Sequence, residues 1–297
     1  MSPAPWPRGS RAQLAGIGLV LGACACFTAL DTTTKAISAS VPLLMALWFR
    51  YAFQAVATTA IVLPWRGWSV LRTRHLPFQV LRGVLLLVSS FMAFTSLKFM
   101  PVGEFTAIIM IGPLVVTLLA ATMLKERVSM LRWALTAGGF IGTLIIIRPG
   151  GAGFGWASLL PLCCVVTNTS FQLLTSKLAR TEDPVTMHLY TGWVGALIAS
   201  LALPFVWEEL PHWGWWVGLC LMGLMATIGH FMLILAFHRA PASTLSPYLY
   251  SQIAFSMLGG WLVFRHVPDT WSFLGMGMIA FCGAAGAWFT VRERRDP

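Results

Sequence analysis

The sequence predicts an all-α integral membrane protein of ten transmembrane helices, arranged as two inverted five-helix repeats. Three observations carry that expectation. Of 297 residues, 57% are hydrophobic and only 10% charged, with a mean hydropathy of +0.76, whereas a soluble domain carries about 25% charged residues. The apolar residues fall into ten runs, each near the roughly 20 residues a helix needs to cross hydrocarbon. The second half of the chain also aligns on the first at a nearly fixed displacement.

The runs follow one another with short gaps that hold Pro, Gly or charge, as helix-to-helix connections do. The first, residues 12–36, follows Arg8 and Arg11 and includes most of the polar stretch FTALDTTTKAIS, Phe27–Ser38. Those arginines resemble a signal-peptide n-region, but nine further runs make this a first span that doubles as an uncleaved anchor. The second, 42–64, opens at Pro42 and holds Phe49-Arg50; the third, 78–98, ends on Lys98. The fourth, 102–124, carries Glu104 and Pro113 and runs into Lys125-Glu126, and the fifth, 129–148, carries Gly138, Gly139 and Gly142. The sixth to tenth are 155–178, 184–206, 213–238, 242–264 and 270–291. The expected organisation is a cytoplasmic tail (1–11), a first repeat (12–148), a linker (149–154), a second repeat (155–291) and a second cytoplasmic tail (292–297).

Lys and Arg set the orientation. With the N-terminus inside, fifteen of the 20 cations fall on the cytoplasmic side, Arg82 among them, four fall outside and Arg50 lies within a span. This bias is a positive-inside signal and predicts both termini in the cytoplasm of a cell bounded by an inner membrane. The net charge of +10 is spread over the gaps, so it does not point to nucleic acid. The six cysteines lie inside apolar runs without C-x-x-C or His–Cys spacing, so no disulfide, metal or other cofactor is expected. The sequence lacks P-loop, G-x-S-x-G and H-E-x-x-H patterns, which argues against an enzyme.

A displacement of 140 brings Phe91 onto Phe231, Met92 onto Met232, Pro101 onto Pro241, Gly83 onto Gly223 and Leu118 onto Leu258; one of 142 brings Lys35 onto Lys177 and Pro42 onto Pro184. Each half has five spans, an odd number, so the second half enters the membrane inverted. Inverted repeats are frequent in secondary transporters, with the substrate near the midplane at the repeat interface. The run Val102–Gly150, with Pro113 midway along its span, Lys125-Glu126 at its end, three glycines and a closing Arg148-Pro149, resembles EamA-type carriers of the drug/metabolite transporter superfamily. Lys35 ending span one and Phe49-Arg50 in span two fit as well. In the second copy Phe264-Arg265-His266 replaces the usual Gly-Glu-like ending, and Ile253 stands where Pro113 stands. The resemblance implies ten helices around a central cavity and transport of small metabolites, often amino acids, amines or nucleotide-like compounds.

Ionisable residues within spans are functional candidates. Arg50 lies on the order of 12 Å below the outer end of span two, level with Asp31, Lys35, Lys98 and Glu104. Arg50 is expected to attract a carboxylate or phosphate, and Asp31 or Glu104 an amine or a coupling proton. A structural reading stands beside this: Asp31 and Lys35 are spaced i, i+4 and can neutralise each other. The second repeat offers neutral polar groups instead. Asn168, Gln172 and Thr175 share a face of span six; Ser246, Tyr248, Ser251 and Gln252 surround Pro247 in span nine; His230 lies in span eight. Asn168, Gln172, His230, Tyr248 and Gln252 are the expected pathway residues, with interhelical hydrogen bonding as the structural alternative. Pro113 and Pro247 are expected to kink or gate their helices. The expected function is a secondary carrier moving a small metabolite by alternating access; a passive channel or uniporter is the alternative. A small-molecule substrate and the lipid bilayer are its expected partners, with a coupling proton and a homodimer left open.

Overall fold

A computed structural model describes residues 10–99, 105, 108–126, 128–147, 159–210, 212–265 and 270–292. Those residues form helices α1 (Ser10–Ile37), α2 (Leu43–Arg66), α3 (Leu76–Phe99), α4 (Gly112–Thr122) and α5 (Met130–Ile147) in the first half. In the second half they form α6 (Leu159–Leu178), α7 (Pro184–Val206), α8 (Trp213–Arg239), a ninth helix in two pieces, α9a (Ala242–Leu249) and α9b (Ser251–Phe264), and α10 (Thr270–Arg292). Among the described residues there is no strand. Six helices, α1 to α3 and α6 to α8, are long and apolar enough to cross a membrane, and shorter apolar stretches lie in α4, α5 and α10.

Local chemistry explains the elements. The three threonines after Asp31 sit inside α1: Thr33 and Thr34 each donate to the carbonyl four residues back, at 2.7 Å, so these two hydroxyls need no water. Helix α7 starts where Asp183 accepts from the backbone N–H groups of Val185 and Thr186, with Pro184 at the first turn, where a missing N–H is harmless. Asp183 also pairs with Arg66 at the end of α2, at 3.0 Å. Trp65, Trp68 and Trp213, near helix ends, are strongly exposed, as interfacial anchors are.

The closest packing joins the halves. The principal helix pairs are α1 with α8, α2 with α7, α3 with α6 and α5 with α10, and α4 packs on α9a. A two-fold operation exchanging the halves turns α1–α8 into α6–α3 and leaves the other pairs unchanged. Glycines mark the same symmetry. A Cβ on Gly83 would lie 2.6 Å from Val194, and one on Gly223 would lie 2.7 Å from Phe53; Gly83/Gly223 and Phe53/Val194 are equivalent within one residue of the 140 displacement. Lys125 and Arg265, also 140 apart, both take the left-handed conformation, φ 53° and 57°. Pro64 and Pro204 occupy equivalent positions near the ends of α2 and α7, a match that the apolar pattern alone does not reveal.

Helix continuity breaks before α4, at Met110 and Ile111, and between α9a and α9b, at Tyr250. Met110 and Tyr250 are again 140 apart. The break is thus the shared feature and the prolines flank it differently: Pro113 lies in the first turn of α4, Pro247 inside α9a before the break.

Candidate functional site

The helices enclose an open cavity of about 140 Å3. Both halves build it. The first contributes Asp31 (α1), Arg50 (α2), Ser89 and Ser90 (α3) and Pro113 (α4). The second contributes Asn168 and Gln172 (α6), His230 (α8) and Gln252 (α9b). Its walls lie mostly in the middle of the bundle and in the half away from the chain termini. Toward the terminus-bearing end Phe171, Leu233 and Leu249 line it, and behind Leu233 and Leu249 lies an apolar cluster that includes Val116, Ala120, Phe237 and Leu245.

Arg50 is the centre of the polar wall, only 5% exposed. Its Nη1 donates to Ser90 Oγ at 2.5 Å, and Nη2 is 2.8 Å from His230 Nε2. A guanidinium is always a donor, so His230 Nε2 accepts and the ring is the tautomer protonated on Nδ1. Tyr51 shares Ser90 at 2.9 Å, and its ring lies 5.1 Å from the Arg50 Cζ. The cation is thus fixed by neutral groups, and its Nε has no hydrogen-bond partner.

Asp31 accepts from Gln252 Nε2 at 3.2 Å. The i, i+4 pairing with Lys35 does not form: Lys35 Nζ turns to the Leu97 carbonyl at 3.1 Å, because at the end of α1 that acceptor on α3 is within its reach. On α6, Gln172 donates to Asn168 Oδ1 at 2.6 Å and Asn168 to Ser89 Oγ at 3.4 Å. Gln172 Oε1 remains without a partner. Phe27 and Phe171 flank His230, with ring centroids 4.8 Å and 5.8 Å away.

The structure therefore brings together Asp31, Arg50, Asn168, Gln172, His230, Gln252 and Pro113. It places Tyr248 and Pro247 elsewhere, in a small pocket against Leu135 and Gly286 at the terminus-bearing end. Of their short helix α9a, it is Leu249 at the last position that lines the cavity. Glu104 lies outside the described residues. Thr175 shares a helix face with Asn168 in sequence but not the cavity; it accepts from Arg82.

Arg82, which the charge count puts on the cytoplasmic side and which lies within the third run, is fully buried in α3, bonded to Thr175 Oγ1 at 3.3 Å, Thr191 Oγ1 at 2.7 Å and the Met187 carbonyl. A sequence signal was available: Gln79, Arg82, Leu86, Ser89 and Ala93 form one i, i+3, i+7, i+10, i+14 stripe, facing inward. Among the described residues no group of three or more His, Cys, Asp or Glu could hold a metal.

Comparison with known proteins agrees with this fold. The model of the EamA-like transporter family matches residues 14–148 and again 155–289. A riboflavin transporter of Rhizobium johnstonii is 30% identical, covering 97% of this chain and 95% of its own. One of Vibrio cholerae is 31% identical over 76% of each chain. An S-adenosylmethionine uptake transporter of Rickettsia bellii is 25% identical, over 86% of this chain and 87% of its own. A crystal structure at 20% identity shares the fold, with a TM-score of 0.77 over 96% of this chain and 99% of the other. Two matches of one family model, on two halves that together build the central cavity, make this multi-pass membrane protein a small-metabolite transporter that belongs to the EamA-like transporter family.

Proposed function

We propose that this chain imports riboflavin, or a flavin close to it, by alternating access across an inner membrane, with both termini cytoplasmic. Riboflavin is a flat, uncharged tricycle with one carbonyl–NH–carbonyl edge and a chain of hydroxyls. The observation that carries the reading is the single polar wall at the junction of the halves. Arg50 offers donors for a carbonyl, the free Gln172 Oε1 an acceptor for the imide N–H, and Asn168 further capacity of both kinds. Phe27 and Phe171 supply aromatic faces, and Asp31 with Gln252 can take hydroxyls. The riboflavin transporters among the relatives support the same substrate.

Arg50 does not stand open for a carboxylate. Two of its three nitrogens are already engaged, which favours a neutral acceptor edge over the amino acids that are among the substrates the resemblance implies. Asp31 is the observation that favours a second reading, a cationic substrate of the S-adenosylmethionine kind.

The test is purified protein in proteoliposomes, with flavin fluorescence read in the lumen. Saturable riboflavin uptake, accelerated by riboflavin on the opposite side, is the expected result. Uptake without that acceleration points to a channel or uniporter, and binding of S-adenosylmethionine but not riboflavin overturns the substrate.

A further inference from the structure

Beneath the cavity, toward the terminus-bearing end, lies a second layer of buried polar groups. Its centre is Arg82, fully buried, whose three acceptors all come from the other half of the chain: Thr175 on α6, Met187 and Thr191 on α7. No carboxylate pairs with it among the described residues. A buried cation held only by hydroxyls and a carbonyl is an expensive arrangement in hydrocarbon. Its neighbours on the same helices add to that. Gln79, one helical turn before Arg82, is fully buried with neither side-chain atom partnered, and Ser176, beside Thr175, is fully buried with a free hydroxyl. Buried polar atoms without partners destabilise the state that buries them. Arg82 Nε, Gln79 and Ser176 together therefore weigh against the arrangement that buries them.

Phe171 separates this layer from the cavity. Its ring lies 5.5 Å from the Arg82 Cζ and makes an edge contact with His230, which bonds Arg50. The order through the bundle is thus Arg50, His230, Phe171, Arg82. We propose that the Arg82 layer is a second binding station for the transported molecule, assembled when the terminus-bearing end opens. Arg82 then exchanges Thr175, Thr191 and the Met187 carbonyl for the acceptor edge of the substrate, Gln79 and Ser176 supply the further hydrogen bonds, and Phe171 is the partition the molecule passes. Opening parts α3 from α6 and α7, which is the motion of one half against the other. The chemical class recognised is a neutral or anionic, carbonyl-rich heterocycle. The inference rests on the carrier reading and adds the inner site to it.

The test has one arm that needs no transport. Wild-type protein in liposomes is treated from one side with a sulfonated, membrane-impermeant phenylglyoxal, and arginine modification is read by peptide mass spectrometry. Exposed Arg72 serves as the control at the terminus-bearing end. Arg82 is expected to react from that end alone, at least tenfold slower than Arg72. Failure of Arg82 to react while Arg72 is consumed, or reaction from the far side, overturns the inner site whatever the substrate is. The second arm uses riboflavin. Arg82→Gln is expected to raise KM for flux entering at the terminus-bearing end at least tenfold, with riboflavin affinity from the far side within twofold and Arg82→Lys intermediate. Equal changes from both sides mean a structural role and overturn the proposal. Absence of riboflavin flux in wild type sinks the substrate assignment and leaves the labelling result to decide the inner site.

Discussion

The two halves of this protein share a backbone and divide the chemistry. Equivalent positions break helices at Met110 and Tyr250, turn left-handed at Lys125 and Arg265 and seat glycines Gly83 and Gly223 against a neighbour. Yet the charges that line the cavity, Asp31 and Arg50, and the buried Arg82 beneath it belong to the first half. The second half contributes the amides, hydroxyls and imidazole that meet them: Gln252 on Asp31, His230 on Arg50, Thr175 and Thr191 on Arg82. Symmetry governs the frame, where backbone geometry decides. It is relaxed at the site, where a substrate without symmetry of its own must be held.

Removing the charge at the centre is the most severe way to break that division. Arg50→Ala leaves His230 Nε2 and Ser90 without their cation and should lower riboflavin uptake at least a hundredfold. Elution as an intact monodisperse species would show that folding survived, and uptake near wild type would remove Arg50 from the site. Next is the frame itself. Gly83→Ala and Gly223→Ala each force a Cβ against a packed side chain, and overpacking of that kind costs about 1–3 kcal/mol. The two variants should lose similar amounts in thermal unfolding. A large difference would show that the interfaces are not equivalent.

Smaller effects sharpen the chemistry. Gln172→Leu removes the free acceptor and the bond to Asn168. Loss of a hydrogen bond of about 1.4 kcal/mol would appear as a roughly tenfold rise in KM with little change in kcat. Asp31→Asn keeps an acceptor for Gln252 and removes only charge. For an uncharged flavin the effect should stay within about threefold, whereas a cationic substrate would lose a charge-assisted bond, about twice as strong as a neutral one. Parallel uptake assays with riboflavin and S-adenosylmethionine separate the two.

Much of the frame was legible in sequence because hydrophobic length is a one-dimensional property. Runs of about 20 apolar residues and a displacement of 140 need no tertiary information. Arg50, Asp31, Asn168, Gln172, His230 and Gln252 were legible as polar groups in mid-span, since hydrocarbon makes such residues conspicuous. What escaped was depth and partnership. Arg82 lies near the start of α3, where a charge looks like a loop cation, and the hydroxyls that bury it lie 93 and 109 residues away. Tyr248 looked equivalent to Gln252 on a continuous helix. The break at Tyr250 gives the two different surroundings.

The crossed packing has a consequence for how such a chain can be made. Every principal helix pair takes one member from each half, so neither half encloses a core by itself, and a domain needs one. Each half is one side of a zip rather than a building block. A gene cut between the halves would yield two insoluble fragments if translated separately, but a working carrier when both are inserted into one membrane. An ancestral five-helix chain would have needed a partner of opposite orientation before the two were joined.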